Sequence, residues 1–517
     1  MESKEELSME PGKIFNTDKR IRLGIWGLGR GSVFIKAAKE LNIDVVAGCD
    51  FNDEIRARFQ KECPEAKVTA DENEFLSNKE MDAVLVATFF TSHAEHAIRA
   101  LNAGYHVMSE VTSFFTPAEG VRLVEAVERS GKIYNLLENY PFTKENMYLA
   151  KLWKDGFFGE FQYGEFEYLH ECRELCYRYC VLPDFPPIEP GYTVHSWRSW
   201  LDFHYYCTHS LGPLMQITGL RPERITAFPE KVELPGYIPG SGMSKPCPSL
   251  IQMSNGGLMK NLCGATTADY HMSKRIWGTR AAAESFEGNL YLRLGATGGS
   301  MKTPVQPEWP ELGELADSTG HGGGDFWELY YFARQVLTGE KAPWDVYSAC
   351  DVTLAGIMAV RSHENNGAPM EIPDFRKPEV CERYRNDNGR MVWPFDPAKI
   401  FPEGHDKEKT SDFTRLMAKI QENSVILRKA MDGASVYEQI RENETKLEVI
   451  RLLNKTLEVL SELYSDRAKA KELLSLYPES LAAKALTGIM TLSEPETLES
   501  QDILKQKIEK TMTSLLK

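Results

Sequence analysis

The stretch Ile21 to Asp50 constrains this chain more than any other part of it. It reads I-R-L-G-I-W-G-L-G-R-G-S-V-F-I-K-A-A-K-E-L-N-I-D-V-V-A-G-C-D. Ile21 to Trp26 is a short apolar run of the kind that forms a buried parallel strand. Gly27, Gly29 and Gly31 then let the backbone turn tightly and come close to a bound group. Val33 to Leu41 has helical character, so the free N–H groups and dipole at its start face whatever the turn holds. Val45 to Cys49 is a second strand, and Asp50 ends it, 23 residues after Gly27. A carboxylate so placed can hold ribose hydroxyls. This order of elements predicts a dinucleotide site built from Gly27, Leu28, Gly29, Arg30, Gly31, Ser32 and Asp50. Ser32 stands where the usual G-x-G-x-x-G pattern has its third glycine. Asp50 favours NAD over NADP, because a carboxylate repels a 2′-phosphate.

Strand and helix signals alternate from Ile21 to about Asn139. Glu54 to Cys63, Ser92 to Ala103 and Pro117 to Ser130 read as helices. Ala83 to Thr88, His106 to Glu110 and Ile133 to Leu137 read as strands. Repeated units of this length imply a doubly wound parallel sheet. After a helix at Asn146 to Trp153 the pattern changes to strands separated by turn residues. Among them are Phe161 to Leu169, Arg224 to Phe228, Ser249 to Met253, Gly257 to Cys263 and Asn289 to Leu294, followed by helices at Asp325 to Leu337 and Val346 to Ser362. The fold class is α/β: an N-terminal Rossmann domain, an α/β domain with a mostly antiparallel open sheet, and a C-terminal helical extension. A chain of 517 residues is too long for one core. The expected boundaries are a flexible leader at 1–20, the dinucleotide-binding domain at 21–140, a substrate and oligomerisation domain at 141–375, a wrapping linker at 376–404 and the helical extension at 405–517.

In that extension Leu447, Ile450, Leu453, Leu457, Leu460 and Tyr464 form an apolar stripe. It suits a small bundle packed on itself or a dimerising helix. The net charge of −15 argues against nucleic acid or an anionic membrane as partner. The N-terminus has no apolar signal region, and no apolar run is long enough to span a bilayer. Ten cysteines without a secretory signal read as reduced thiols, which makes the cytoplasm the expected compartment.

Five segments together resemble the Gfo/Idh/MocA family, named for glucose–fructose oxidoreductase and inositol dehydrogenase. They are Gly27 to Ser32, Asp50, A-T-F-F-T-S-H-A-E-H at Ala87 to His96, A-G-Y-H-V-M-S-E-V at Ala103 to Val111, and H-G-G-G-D-F at His321 to Phe326. The resemblance covers roughly Ile21 to Phe375 and leaves the helical tail outside. It implies a cofactor cleft between the two domains and oligomerisation through the open sheet. Dehydrogenase members carry Glu-Lys-Pro where this chain has Glu110-Val111-Thr112, so their lysine is missing. They also have Asp-x-x-x-His, where this chain has Tyr205 and His209. The NAD-dependent retaining glycosidases of α-N-acetylgalactosaminidase type are more similar. They match at Tyr168-Leu169-His170-Glu171, at Thr208-His209-Ser210-Leu211-Gly212-Pro213 and at His321 to Phe326.

That resemblance implies transient oxidation of a sugar, elimination, hydration and re-reduction, with Tyr168 as the C2 base and His209 assisting at the C3 hydroxyl. It implies NAD as cofactor, with Thr88, His93, Glu110 and Asn139 beside it. His96 reads as structural. His170, Trp200, Tyr206 and His321 are candidates to line the sugar site. The aromatic crowd Trp197, Trp200, Phe203, Tyr205 and Tyr206 suits sugar stacking and core packing equally. Cys172, Cys176 and Cys180 would share one helix face, but the spacing is not a standard zinc pattern. No metal is expected; a small carbohydrate substrate and a homo-oligomer are. Two other functions fit the altered catalytic set. One is an NAD(P)-linked sugar oxidoreductase. The other is a non-catalytic sensor, like the galactose-pathway repressor of the same family.

Overall fold

The apolar runs of the N-terminal third become a six-stranded parallel sheet. Its strands are β1 (Ile21–Trp26), β2 (Ile43–Cys49), β3 (Lys67–Thr69), β4 (Ala83–Val86), β5 (His106–Glu110) and β6 (Tyr134–Leu137). The order is β3-β2-β1-β4-β5-β6. Strands β4 and β6 are buried at every residue, which is why they read as continuous apolar runs and not as alternating ones. The chain leaves β1 towards one edge and returns to β4 on the other side, opening a crevice at the carboxyl ends of the strands. Local signals fix the helices between them. Thr116 and Glu119 form a reciprocal capping box, Pro117 opens the helix Pro117–Ser130, and Gly131 closes it in the left-handed region. The computed structural model describes residues 13–177, 198–267, 270–391 and 400–515.

The second sheet has ten strands: β7 (Phe161–His170), β8 (Pro222–Ala227), β9 (Pro246–Met253), β10 (Leu258–Ala265), β11 (Tyr270–His271), β12 (Lys274–Gly278), β13 (Ala282–Phe286), β14 (Asn289–Leu294), β15 (Met301–Val305) and β16 (Met370–Glu371). Their order is β15-β14-β13-β12-β7-β10-β9-β8-β16, with β11 beside β7. The β7–β10 pair is parallel and the others are antiparallel. On β7, Gly164, Phe166 and Tyr168 are buried, while Tyr163, Glu165 and Glu167 on the opposite face are half-buried. One face is therefore covered by helices and the other is more open. The expected α/β class is borne out, including the mostly antiparallel second sheet and the helical extension.

The packing adds to the sequence reading in three places. Within residues 13–20, read as the end of a flexible leader, Ile14 and Phe15 are buried and Phe15 stacks on Tyr330 at 5.2 Å, while most of the others are exposed. The segment after Arg376 is a pinned strap. Arg376 pairs with Asp351 at 2.8 Å, the helix Pro378–Tyr384 buries Val380, and Asp387 pairs with Arg361 at 2.7 Å. Strands β12, β13 and β15 were not read from the sequence, because they are short; β12 and β13 mix buried with more exposed residues, and β15 has no buried residue.

The C-terminal region is a bundle of the helices Phe413–Ser435, Asn443–Leu476, Leu481–Met490 and Gln501–Leu515. Its stripe packs inward. Leu453 and Leu460 are buried, Ile450, Leu457 and Tyr464 pack against the core, and Leu447 is 59% exposed. The bundle also grips the second domain. The Gly236 N–H donates to the Gly488 carbonyl at 3.2 Å and to Thr491 Oγ1 at 2.9 Å. The next residue, Tyr237, accepts from the Cys172 N–H at 2.9 Å, and the Tyr177 hydroxyl donates to the Gly236 carbonyl at 2.9 Å. The tail therefore braces a loop that in turn holds the segment following β7. Among the described residues, no helix is long and apolar enough to cross a membrane.

The closeness of that brace is testable. A Cβ at Gly488 would lie 1.9 Å from the Tyr237 carbonyl oxygen. Gly488→Ala should lower stability by roughly 1–3 kcal/mol in denaturant melts. It should also speed hydrogen exchange across residues 172–177. Gly298→Ala, where a Cβ meets open space, should stay within about 0.5 kcal/mol of the parent.

Candidate active site between the two sheets

The expected cofactor residues gather at the carboxyl ends of the parallel strands. Gly27 follows β1, Asp50 follows β2, Thr88 follows β4 closely, Glu110 ends β5, and Asn139 lies just past β6. Gly27 has φ 93°, and a Cβ there would sit 2.4 Å from the Ala87 carbonyl oxygen. Only glycine meets both demands. The Asp50 carboxylate ties the turn down, accepting from the Leu28 N–H at 2.8 Å and the Asn52 N–H at 2.9 Å. A Cβ on Gly29 would meet only Ile55 Cδ1, at 4.0 Å, so the outer face of the turn is open to a ligand. The first helical turn beyond it supplies N–H groups without helical partners, which suit a pyrophosphate.

Gly31, not the third position of the pattern, makes the tight helix–strand contact. A Cβ there would lie 2.4 Å from Ile25 Cγ2. Ser32 is accommodated because its hydroxyl turns back and donates to the Leu28 carbonyl at 2.6 Å.

Arg30 projects from this turn and joins the two domains. Its Nε donates to Glu110 Oε1 at 2.7 Å, and its two terminal nitrogens donate to Asp325 at 2.8 and 3.1 Å. His321 Nδ1 lies 3.0 Å from the same Asp325 carboxylate, and Asn139 Nδ2 reaches it at 3.4 Å. Burial alone would raise the Asp325 carboxyl. His321 and Arg30 outweigh it and hold the group well below the usual carboxylate range. Glu328, one turn further along the helix Gly324–Thr338, has the opposite fate. It is buried with neither side-chain oxygen hydrogen-bonded, and burial pushes it well above the ordinary value. Asn139 Oδ1 is likewise buried without a partner.

A second group forms where the helix Thr208–Thr218 packs on the end of β6. His209 Nδ1 lies 2.8 and 3.0 Å from the two oxygens of Glu138. Glu138 is fully buried, and a Cβ on Gly212 would touch its Cγ at 3.1 Å. The carboxylate fixes the Nδ1–H tautomer, so Nε2 presents a lone pair on the far side of the ring. Three tyrosines surround that ring edge-on: Tyr140 at 4.6 Å, Tyr168 at 4.7 Å and Tyr206 at 5.4 Å between centroids. Tyr140 also faces His321, at 6.0 Å, linking this group to the Arg30 cluster. Burial raises the Tyr206 phenol.

The structure thus brings Tyr140, Tyr168 and Tyr206 around His209, with His321 beyond Tyr140, and Arg30, Asn139 and His321 around Asp325, with Glu110 on the other side of Arg30. His170 is at the edge of the first group, its ring 6.1 Å from Tyr168. Trp200 is buried in the core. His93 is buried with its two nitrogens at the carbonyls of Thr112 (2.9 Å) and Thr88 (3.0 Å). Burial outweighs those acceptors and lowers its pKa, so only one of the two contacts is an N–H donation at a time. It joins two loops that border the cleft. His96 stacks on Trp26 at 4.0 Å and contacts Thr88 Oγ1 at 2.8 Å; burial lowers it to about 4. Cys172 and Cys176 are buried, and burial raises both thiols; Cys180 and Trp197 lie outside the described residues. Glu138, Tyr140 and Glu328 were missed from the sequence. Only the position of Glu138, at a strand's carboxyl end next to Asn139, could have signalled it.

A model of the oxidoreductase family with an NAD-binding Rossmann fold, Gfo/Idh/MocA, matches residues 21–137. A model of the C-terminal domain of glycosyl hydrolase 109 matches residues 268–382. A glycosyl hydrolase family 109 protein of Saccharopolyspora erythraea is 27% identical over 411 residues, covering 71% of this chain and 85% of that protein. An alpha-N-acetylgalactosaminidase of Shewanella oneidensis is 26% identical over 406 residues, covering 69% and 85%. Levoglucosan dehydrogenase in complex with NADH aligns with a TM-score of 0.55 at 17% identity, over 69% of this chain and 100% of that one. That likeness establishes the fold. Residues 21–137 thus match the Gfo/Idh/MocA oxidoreductase model with its NAD-binding Rossmann fold. Residues 268–382 match the glycosyl hydrolase 109 C-terminal domain, and similar proteins carry the glycosyl hydrolase 109 name.

Two outcomes follow from the geometry. Asp50→Ala should weaken NAD binding at least about tenfold by calorimetry, the scale of a lost hydrogen bond to a charged group. Asp325→Asn should cost roughly 3 kcal/mol at neutral pH, because it strips a buried partner from Arg30. The Asp325 carboxyl is lower folded than unfolded. Its contribution is therefore complete above the unfolded value, about 3.9, and is lost as the pH falls through the folded value. Urea melts should show the gap between parent and variant closing only below about pH 4.

Proposed function

We propose that this protein is an NAD-dependent glycoside hydrolase that oxidises its sugar transiently, eliminates the aglycone, adds water and reduces the product back. The observation that carries this is the buried Glu138–His209 pair set edge-on to Tyr168, with Val111 where the dehydrogenases keep a lysine. Bound at the turn Gly27 to Ser32, NAD supplies a hydride acceptor at the sugar's C3 and returns the hydride at the end, without net consumption.

The residues of the chain handle the protons. His209 Nε2, opposite the Nδ1–H held by Glu138, accepts the proton of the C3 hydroxyl as that carbon is oxidised. The C3 ketone makes the neighbouring C2–H acidic. Tyr168, as phenolate, takes that proton while the C1–O bond to the aglycone breaks with its electron pair. Water adds to C1 of the resulting enone, and Tyr168, its proton exchanged with solvent, protonates C2. Thr88, Glu110 and Asn139 border the nicotinamide ribose in this scheme. Arg30, Asp325 and His321 close the cleft over it. His170 and Tyr206 line the sugar side. A glycoside substrate, with an α-N-acetylgalactosaminide as the first to test, follows from the relatives' names. The half-exposed side of the second sheet, where Leu250 and Leu258 are each about 40% exposed, supports self-association there. The free described cysteines suit a cytoplasmic setting.

The test uses an aryl α-N-acetylgalactosaminide in deuterated water. The parent should release the aglycone with no net NADH and leave solvent deuterium at C2. Tyr168→Phe should keep NAD binding, lose the C2 label, and turn over at least ~10²-fold more slowly. Product without label, or steady accumulation of NADH, would replace the hydrolase with a sugar oxidoreductase.

A further inference from the structure

A second cluster lies away from the cleft, where three elements meet. Asp202 caps the short turn Phe203–Tyr206 that precedes the helix Thr208–Thr218. His204 is in that turn, and His363 is in the last turn of the helix Val346–Glu364. Asp202 Oδ1 is 2.9 Å from His204 Nδ1, and Oδ2 is 3.2 Å from His363 Nδ1. All three ligand-type atoms lie within 4.8 Å of one another. Cys247, on β9, places its Sγ 3.9 Å from Asp202 Oδ1 and also interacts with His204.

We propose that Asp202, His204 and His363, with the Cys247 thiol as fourth ligand, bind a divalent zinc-type cation that pins the start of the helix Thr208–Thr218 to its neighbours. The donor set is one carboxylate, two imidazoles and one sulfur, which suits a tetrahedral borderline-soft ion. Neighbouring ligand atoms of such a site lie about 3.3 Å apart. The carboxylate–imidazole spacings of 2.9 and 3.2 Å are within a few tenths of an ångström of that value. The two imidazoles, within 4.8 Å of each other, close by up to about 1.5 Å on the ion. The thiol, 3.9 Å from Asp202 Oδ1 and outside that group of three, turns toward the ion to complete the set. The second shell is also in place. His204 Nε2 faces the Pro248 carbonyl at 3.5 Å, which leaves Nδ1 as its ligating atom, and the Asp202 carboxylate is oriented by the His204 N–H at 2.9 Å.

Charge favours the assignment. Two neutral imidazoles, a carboxylate and a thiolate around a doubly charged ion sum to zero, in a place where Asp202, His204 and Cys247 are buried. Lys245, whose charge reaches His363, has its ammonium turned to the Glu230 carbonyl at 3.0 Å. His363 is half-buried and offers the way in from solvent. The helix carrying it is pressed against this turn, since a Cβ at Gly356 would lie 2.6 Å from the His204 carbonyl oxygen. Ligands drawn from three separated elements, with no open position, describe a structural site.

The test uses the full chain, and its readout does not depend on turnover. Protein incubated with Zn2+ and passed over chelating resin should retain one equivalent by elemental analysis. The Co2+-loaded protein should show the visible absorption of a tetrahedral site. His363→Ala, at the half-exposed ligand, should keep the parental circular dichroism and lose both signals. Cys247→Ser should shift the Co2+ spectrum through loss of the thiolate. No retained zinc in the parent, equal retention in folded His363→Ala, or a Co2+ spectrum unchanged by Cys247→Ser would overturn the assignment.

Discussion

One guanidinium holds the cleft together. Arg30 rises from the glycine turn of the first domain, takes Glu110 from the same domain, and takes Asp325 from the second. Asp325 in turn collects His321 and Asn139. Desolvating these charges is expensive, and the arrangement holds only because every one has a partner of opposite sign or a hydrogen-bond donor. The benefit is geometric. The glycine turn and the helix Gly324–Thr338 cannot move independently while the planar fork of Arg30 is engaged on both sides.

Around that knot the same helix turn carries two acids in different states. Asp325 is held well below the usual carboxylate range by His321 and Arg30 against burial, whereas Glu328, with neither side-chain oxygen hydrogen-bonded, is pushed well above it by burial. Environments that split two nearby carboxyls in this way are a mark of acid–base sites. Glu138 does a third kind of work. It sits beneath His209 and chooses which ring nitrogen faces the tyrosines.

Much of the fold was legible because its signals are local. The buried strands of the first sheet announce themselves as unbroken apolar runs, and the helix boundaries by their caps. Asp50 was found from its distance to the glycine turn. The short strands β12, β13 and β15 escaped because five residues with few or none buried look like loop. The pairings that build the site were not legible in the same way. Arg30 and Asp325 are 295 residues apart, and Glu138 and His209 are 71 apart. No spacing rule relates such residues; only the closure of two sheets brings them together. Gly31 taught a smaller lesson. A pattern match judged Ser32 a flaw, while the packing had moved the close contact one residue earlier.

The brace between Gly236 and the C-terminal bundle bears on how the protein is made. The donor at Gly236 and its acceptor at Thr491 are separated by 255 residues. Translation delivers the wall-holding loop long before the residues that steady it. The first sheet can begin to form as it emerges, because its strand pairings are complete by residue 137, while Arg30 still waits for Asp325. The segment after β7 has to wait for almost the whole chain. A ribosome stalled within the last helices would thus hold a first domain already formed beside a segment after β7 not yet set, and the order of synthesis becomes an order of assembly.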